Sequence, residues 1–250
     1  MNGLERFQSA MLTAMRPYLL SAIEQYRQDF EHAIKNRLFN LKGPRVVNRA
    51  LTPKDRFLGK MFGAFNELQK SFETLEDIAF YVARFPYRNT RVTPERHLQF
   101  CVEAYLNEVY LLQERLLAFV KLVERQYKKD KDEAFARIQF QSLADSIRQS
   151  LKGVVGARAT HVHEVRFTDP DIDRLSMIAL LSRNRDGKSD ELRRVYFRLE
   201  YDDAKGKWRD KLSQNNKTIR SMLDMVYDNL YGLIFETTTG ELRIPKRVEA

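Results

Sequence analysis

The chain has 250 residues, 43% of them hydrophobic and 31% charged, with 10 glycines and 7 prolines, and these proportions exclude a disordered, collagen-like or loop-dominated protein. The 43 lysines and arginines outnumber the 34 aspartates and glutamates, and the resulting charge of +9 favours polyanions such as nucleic acid as partners. The single cysteine, Cys101, excludes a disulfide framework and a thiolate metal cluster, so we predict a cytoplasmic protein.

The first 90 residues predict a helical extension. Apolar residues between positions 4 and 34 recur mostly every three, four or seven residues, which indicates an amphipathic helix. Pro17 is expected to kink or restart this helix, and the charged residues near the N-terminus argue against a signal peptide. After the Gly-Pro break at 43–44, Thr52 predicts the cap of a second helix that ends near Val82.

The segment "VTPERHL" repeats this start signal and predicts a third helix that begins at Pro94. Its long apolar stripe predicts a central helix, with Leu112, Leu116 and Phe119 in the core. Five charged residues interrupt the most apolar run, residues 100–123, so we predict no membrane span. A fourth helix is expected to end at Gly153.

The C-terminal third of the chain predicts further helices. Asp169 is expected to cap a short helix that ends near Gly187. We interpret the aspartates of "DPDID" as a cap and a first turn rather than as calcium or magnesium ligands, because the glycine and distal glutamate of a calcium loop are missing. Residues 193–203 fit a helix or a hairpin, of which we predict the helix. A last helix over residues 218–235 closes the bundle, before a tail at 237–250.

The stretch "GARATHVHEVRF" contains Arg158 and His163 with four residues between them. No P-loop, dinucleotide fingerprint, zinc helix or nucleophile elbow is present in the sequence. RNA cleavage without a metal needs a group that transfers protons and a cation that holds the phosphate, and histidine and arginine suit these roles. On a regular helix the two positions lie about 140° apart. They therefore need an irregular backbone or a second subunit to meet.

This arrangement resembles the Arg-x4-6-His motif of the HEPN superfamily, a group of compact helical domains. The resemblance implies an all-α, HEPN-like helical bundle over residues 94–236, within a single domain that carries the N-terminal helical extension at 1–90. It also implies a homodimer that brings two motifs into one cleft, and a metal-independent endoribonuclease of toxin or defence type that cleaves single-stranded RNA. No cofactor is implied, and the further partner would be an antitoxin or a nucleotidyltransferase-type protein.

In this interpretation Arg158 holds the scissile phosphate and His163 transfers protons. Neighbouring polar residues are expected to support the catalytic pair, namely Thr160, His161 and Glu164. Basic residues in the same segment and in the basic stretch at 35–60 are expected to bind RNA, namely Arg45, Arg49 and Arg166.

Two alternatives remain open at the level of the sequence. One is a catalytically silent helical module that binds RNA, a nucleotide or a protein partner with the same surface. The other is a structural interaction protein, in which His161 and His163 make hydrogen bonds at a helix junction. Ala159 and Val165 depart from the residues of active HEPN proteins, which bears on catalysis more than on the fold.

Overall fold

The computed structural model describes residues 2–39, 52–84, 92–127, 133–163, 169–183, 190–236, 238–245 and 248. This part of the chain is all-α, as the sequence predicts, and its helices are α1 (Gly3–Phe39), α2 (Pro53–Ala83), α3 (Pro94–Tyr127), α4 (Glu133–His163), α5 (Pro170–Arg183) and α6 (Asp190–Ile234). Within these ranges, strand-like pairing is confined to one antiparallel bridge between Phe235 and Leu242.

The helix starts that were predicted from capping chemistry are confirmed. At α2, the Asp55 amide donates to the Thr52 hydroxyl oxygen at 3.0 Å, and the Thr52 amide donates to the Asp55 carboxylate at 3.1 Å. This reciprocal arrangement satisfies amide groups that have no partner inside the helix. α3 begins at Pro94, directly after Thr93, and α5 begins at Pro170, directly after Asp169.

Three boundaries differ from the sequence prediction. α1 continues through Pro17 without a restart, since one missing backbone hydrogen bond does not end a helix of 37 residues. α4 continues past Gly153 to His163; a glycine inside a helix costs only about 1 kcal/mol relative to alanine. Residues 193–203 are helical, as predicted, but α6 is one helix of 45 residues rather than two.

The helices form two compact units. The first unit has a core centred on Phe7 of α1, and comprises Met1–Asn66, Phe119–Leu143 and Leu223–Ala250. The Phe7 ring lies 4.8 Å from the Tyr227 ring and 5.6 Å from the Phe65 ring, between centroids. At the start of α1, the Leu4 amide donates to the Asp224 carboxylate at 3.0 Å. Aromatic contacts therefore join α1, α2 and α6 within this unit.

The second unit has a core built on α3, and comprises Glu67–Ala118 and Ala144–Met222. Leu112 and Leu116 are fully buried here, and Phe119 is buried in the first unit, as predicted. The buried Tyr105 hydroxyl donates to the Asn216 side-chain oxygen at 2.7 Å, and the Asn216 amide donates to the Leu75 carbonyl at 3.3 Å. Asn216 thus connects α2, α3 and α6, and it gives the buried Tyr105 hydroxyl a hydrogen-bond partner.

Neither unit coincides with the predicted division into an extension at 1–90 and a core at 94–236, because α2, α3 and α6 each contribute residues to both units. That division stays a prediction. Across the described ranges, none of the helices has the length and the apolar composition that a membrane crossing requires.

Candidate functional site

The predicted catalytic motif lies at the C-terminal end of α4. The backbone is α-helical from Arg158 to His163, with Thr160 and His161 between them. The side chains of these four residues lie outside the described part of the structure, as do Glu164 and Arg166 and the predicted RNA-binding residues Arg45 and Arg49.

This regular backbone bears on how the motif could act. Positions 158 and 163 of one chain are about 140° apart around the helix axis, whereas positions 158 and 161 are about 60° apart. Of the two routes to convergence that the sequence left open, the irregular backbone is therefore absent from this stretch of α4. The remaining route is a contribution from a second subunit.

Asp169 is a helix cap, as predicted. It is buried, and one of its carboxylate oxygens accepts from the amides of Asp171 at 3.1 Å and Ile172 at 3.2 Å. The same oxygen accepts from the Trp208 indole N–H at 3.2 Å. Among the described residues, no group of three or more His, Cys, Asp or Glu side chains is arranged to hold a metal ion.

The Asp169 contacts begin an antiparallel pairing of α5 with α6. Further along, the Lys207 ammonium lies 3.3 Å from the Asp171 carboxylate, and the Arg174 guanidinium lies 3.2 Å from the Glu200 carboxylate. Among the side chains that the structure describes, those that are buried and apolar lie at one end of this pair, namely Ile172, Leu175, Tyr201, Ala204 and Trp208. The other end extends beyond the buried part of the second unit.

A groove lies on the inner side of this helix pair, within the second unit. Its cavity volume is about 570 Å³, and its lining comprises residues 93–95 at the start of α3, Ala179 of α5, and Arg194, Phe197, Arg198, Tyr201 and Asp202 of α6. The size falls in the range of small-molecule sites, which are mostly apolar with a few placed polar groups. We call it the α5–α6 groove.

Two polar groups are buried in the α5–α6 groove. Glu95 is 5% exposed, and its carboxylate accepts from the Thr93 hydroxyl at 2.5 Å. Tyr201 is 8% exposed, and its hydroxyl has no hydrogen-bond partner among the described residues. Burial, assisted by the Asp202 and Glu95 carboxylates, raises the pKa of Tyr201 to about 12. The Tyr201 hydroxyl therefore stays protonated at neutral pH and can donate a hydrogen bond.

The α5–α6 groove was not predicted from the sequence. Its α6 residues recur at intervals of three and four, from Arg194 through Phe197 and Arg198 to Tyr201, which is one face of a helix. That signal was present, but residues 193–203 fit a strand almost equally well. The contribution of α3 could not be found from local patterns, because residues 93–95 are about a hundred positions away along the chain.

The opposite side of the same helix pair exposes apolar residues. Seven large apolar side chains there are 50–78% exposed: Met177, Leu180, Leu181, Leu192, Val195, Tyr196 and Leu199. On α6 they follow the i, i+3, i+4, i+7 spacing of a packing face. We call this surface the outer face. A group of exposed large apolar side chains on one helix face is typical of an interaction surface.

Cys101 is not suited to nucleophilic chemistry. It is buried in α3, and burial raises the pKa of its thiol to about 11. Its sulfur lies 3.6 Å from Nε2 of His97, whose pKa is lowered by burial. Because the thiolate is the reactive form, this cysteine is inert near neutral pH.

Comparisons with protein families, with curated proteins and with solved structures find no match to this chain.

Proposed function

We propose that the protein is a metal-independent endoribonuclease that cleaves single-stranded RNA, and that it acts as a homodimer in the cytoplasm. The observation that carries the proposal is the position of Arg158 and His163 at the C-terminal end of one long helix, in an all-α chain with a charge of +9. The resemblance of this pair to the HEPN motif also supports the proposal. An antitoxin or a nucleotidyltransferase-type protein is the further partner in this proposal.

The chemistry follows from the two side-chain types. A neutral His163 accepts the proton of a ribose 2′-hydroxyl, whose oxygen then bonds to the adjacent phosphorus as the bond to the 5′-oxygen breaks. A protonated His163 of the second copy returns a proton to that leaving oxygen. Arg158 stabilises the charge that develops on the phosphate oxygens, with two parallel N–H donors. The products are a 2′,3′-cyclic phosphate and a 5′-hydroxyl.

The outer face supports the dimer in this proposal. Full burial of one large apolar side chain removes roughly 60–120 Å² of its surface from water. This area is the one that corresponds to the free energy of transferring such a side chain from water to an apolar interior. Seven side chains with the observed exposures supply roughly 250–500 Å². The apolar share of a standard interface is about 500 Å² per partner. The outer face can therefore supply most of the apolar contact of a two-fold dimer.

The dimer is tested by sedimentation of the wild type and two variants. Leu192→Asp, on the outer face, should convert the dimer to a monomer at micromolar concentration. Phe100→Asp is the matched control, because Phe100 is 68% exposed on α3 and lies outside this face. A wild type that sediments only as a monomer would overturn the proposed dimer.

Cleavage is tested with a labelled single-stranded RNA in EDTA. His163→Ala should lower the cleavage rate by about 10²- to 10⁴-fold, the usual contribution of a positioned proton-transfer group. Arg158→Lys should also be severe, because lysine retains the charge and loses the two-point contact with phosphate. His161→Ala is the matched control and should change the rate by less than about tenfold. A wild type that cuts no RNA, or a control as inactive as His163→Ala, would contradict the mechanism.

A second candidate function is a helical module that binds its ligand or partner without cleaving it. The regular backbone of α4 favours this candidate, because one chain alone keeps positions 158 and 163 on different sides of the helix. It predicts RNA binding by a monomer with no cleavage product. The sedimentation and cleavage measurements together distinguish it from the ribonuclease.

A further inference from the structure

The α5–α6 groove offers a stacking surface for a planar ring. Phe197 and Tyr201 lie one turn apart on α6, and their rings are nearly parallel, with an interplanar angle of 9° and centroids 6.3 Å apart. Phe197 is partly exposed, whereas Tyr201 is buried. Every nucleobase has a flat face that stacks on aromatic side chains, and such stacking contributes about 1–3 kcal/mol per base.

The buried polar groups of the groove suit the edge of a base. The Tyr201 hydroxyl is a donor without a partner among the described residues, and the Glu95 carboxylate is a buried acceptor. A buried donor that lacks a partner destabilises the protein by about 1–3 kcal/mol, so a ligand atom that accepts from it recovers much of that energy. The hydrogen-bonding edges of the bases carry donors and acceptors side by side.

The rim of the groove carries cations for a phosphate. Arg194 and Arg198 lie one helical turn apart, and both are exposed at the groove. Guanidinium groups bind phosphate oxygens through paired N–H donors, and they also stack on planar rings. Asp202, beside them on the rim, lies 3.2 Å from the Lys205 ammonium. Its carboxylate is an acceptor for a ribose hydroxyl.

We propose that the α5–α6 groove binds one nucleotide, with its base against Phe197, the edge of the base at Tyr201 and Glu95, and its phosphate at Arg194 and Arg198. The nucleotide is either a free nucleoside monophosphate or one unit of a single-stranded RNA. This site is distinct from the motif at the end of α4, and nucleotide binding here does not require cleavage.

The test measures binding of two probes. Adenosine 5′-monophosphate is titrated calorimetrically into the wild type, and a fluorescein-labelled ten-nucleotide RNA is titrated into His163→Ala, so that cleavage plays no part. Tyr201→Phe, which removes only the hydroxyl, should weaken binding about tenfold, the equivalent of one hydrogen bond. Arg198→Glu should weaken it by more than tenfold. Arg209→Glu is the matched control, because Arg209 is an exposed arginine of α6 outside the groove.

Each outcome decides the proposal. Binding of the monophosphate that is weakened by Tyr201→Phe and Arg198→Glu identifies a free-nucleotide site, and the same effects with the RNA alone identify a subsite for the strand. If neither probe binds, or if both variants behave like Arg209→Glu, the proposal is wrong. A wild type that binds the RNA but does not cleave it would refute the ribonuclease and leave the nucleotide site intact.

Discussion

Replacement of Asp169 by alanine tests the junction of α5 with α6. The substitution removes a helix cap, which contributes about 0.5–2 kcal/mol. It also leaves the buried Trp208 indole N–H without its acceptor, at a cost of about 1–3 kcal/mol. We therefore expect the free energy of unfolding to fall by about 2–4 kcal/mol, and the melting temperature by about 5–12 °C for a chain of this length.

The measurement is urea unfolding followed in parallel by circular dichroism and by the fluorescence of Trp208, the only tryptophan. Asp169→Asn should lose less than about 1.5 kcal/mol, because the amide oxygen still accepts from the same donors. Asp173→Ala is the matched control: it lies in the same first turn, is exposed, and should lose about 0.3–1 kcal/mol through the helix dipole. The predicted role of the Asp169 carboxylate is wrong if Asp169→Ala costs no more than Asp173→Ala, or if Asp169→Asn costs as much as Asp169→Ala.

Three further substitutions or conditions have expected outcomes. Burial raises the pKa of the Cys101 thiol from 9.0 to about 11, so the folded protein favours the neutral thiol. The stabilisation that this thiol provides is therefore complete below pH 9 and is lost as the pH rises to 11. Urea unfolding at pH 8 and 10.5 should show this loss, and Cys101→Ala should reduce it. Asn216→Ala should cost about 2–3 kcal/mol in the wild type and about 1–2 kcal/mol less in Tyr105→Phe, as a double-mutant cycle would reveal; equal costs would disprove the bridge. Gly3→Ala should cost about 1–3 kcal/mol, because its Cβ would clash with the backbone oxygen of Asp224 in α6. Gly63→Ala, whose Cβ would meet nothing within 4 Å, should be neutral or stabilising in thermal melts.

The parts of the fold that depend on local chemistry could be predicted from the sequence. Thr52, Thr93 and Asp169 each precede a helix start, since a capping side chain, a following proline and an acidic first turn act within four residues. The ends of helices were harder to predict from the sequence, as Pro17 and Gly153 show. Both residues weaken a helix by an amount that packing elsewhere along it can offset, and packing depends on contacts that are distant in sequence.

The two candidate sites also differ in whether their residues are close together or far apart in the sequence. The pair Arg158 and His163 was found because it is a local motif, and its role stays a prediction. The α5–α6 groove was not found, because it combines the start of α3 with residues of α6 that follow it by about a hundred positions. Its marker is a buried hydroxyl that has no hydrogen-bond partner within the described part of the chain, and burial is a property of the fold rather than of the residue.

The uneven anchoring of α6 has a consequence for how a ligand would reach the α5–α6 groove. No described side chain between residues 191 and 200 is buried, whereas Tyr201, Ala204 and Trp208 are. In a single chain, the free energy of local opening should therefore be small in the first turns of α6 and should rise steeply after Tyr201. One wall of the groove, which carries Arg194 and Arg198, can then separate and close again while the core of the second unit stays folded. Entry and release would be governed by this local equilibrium rather than by global unfolding.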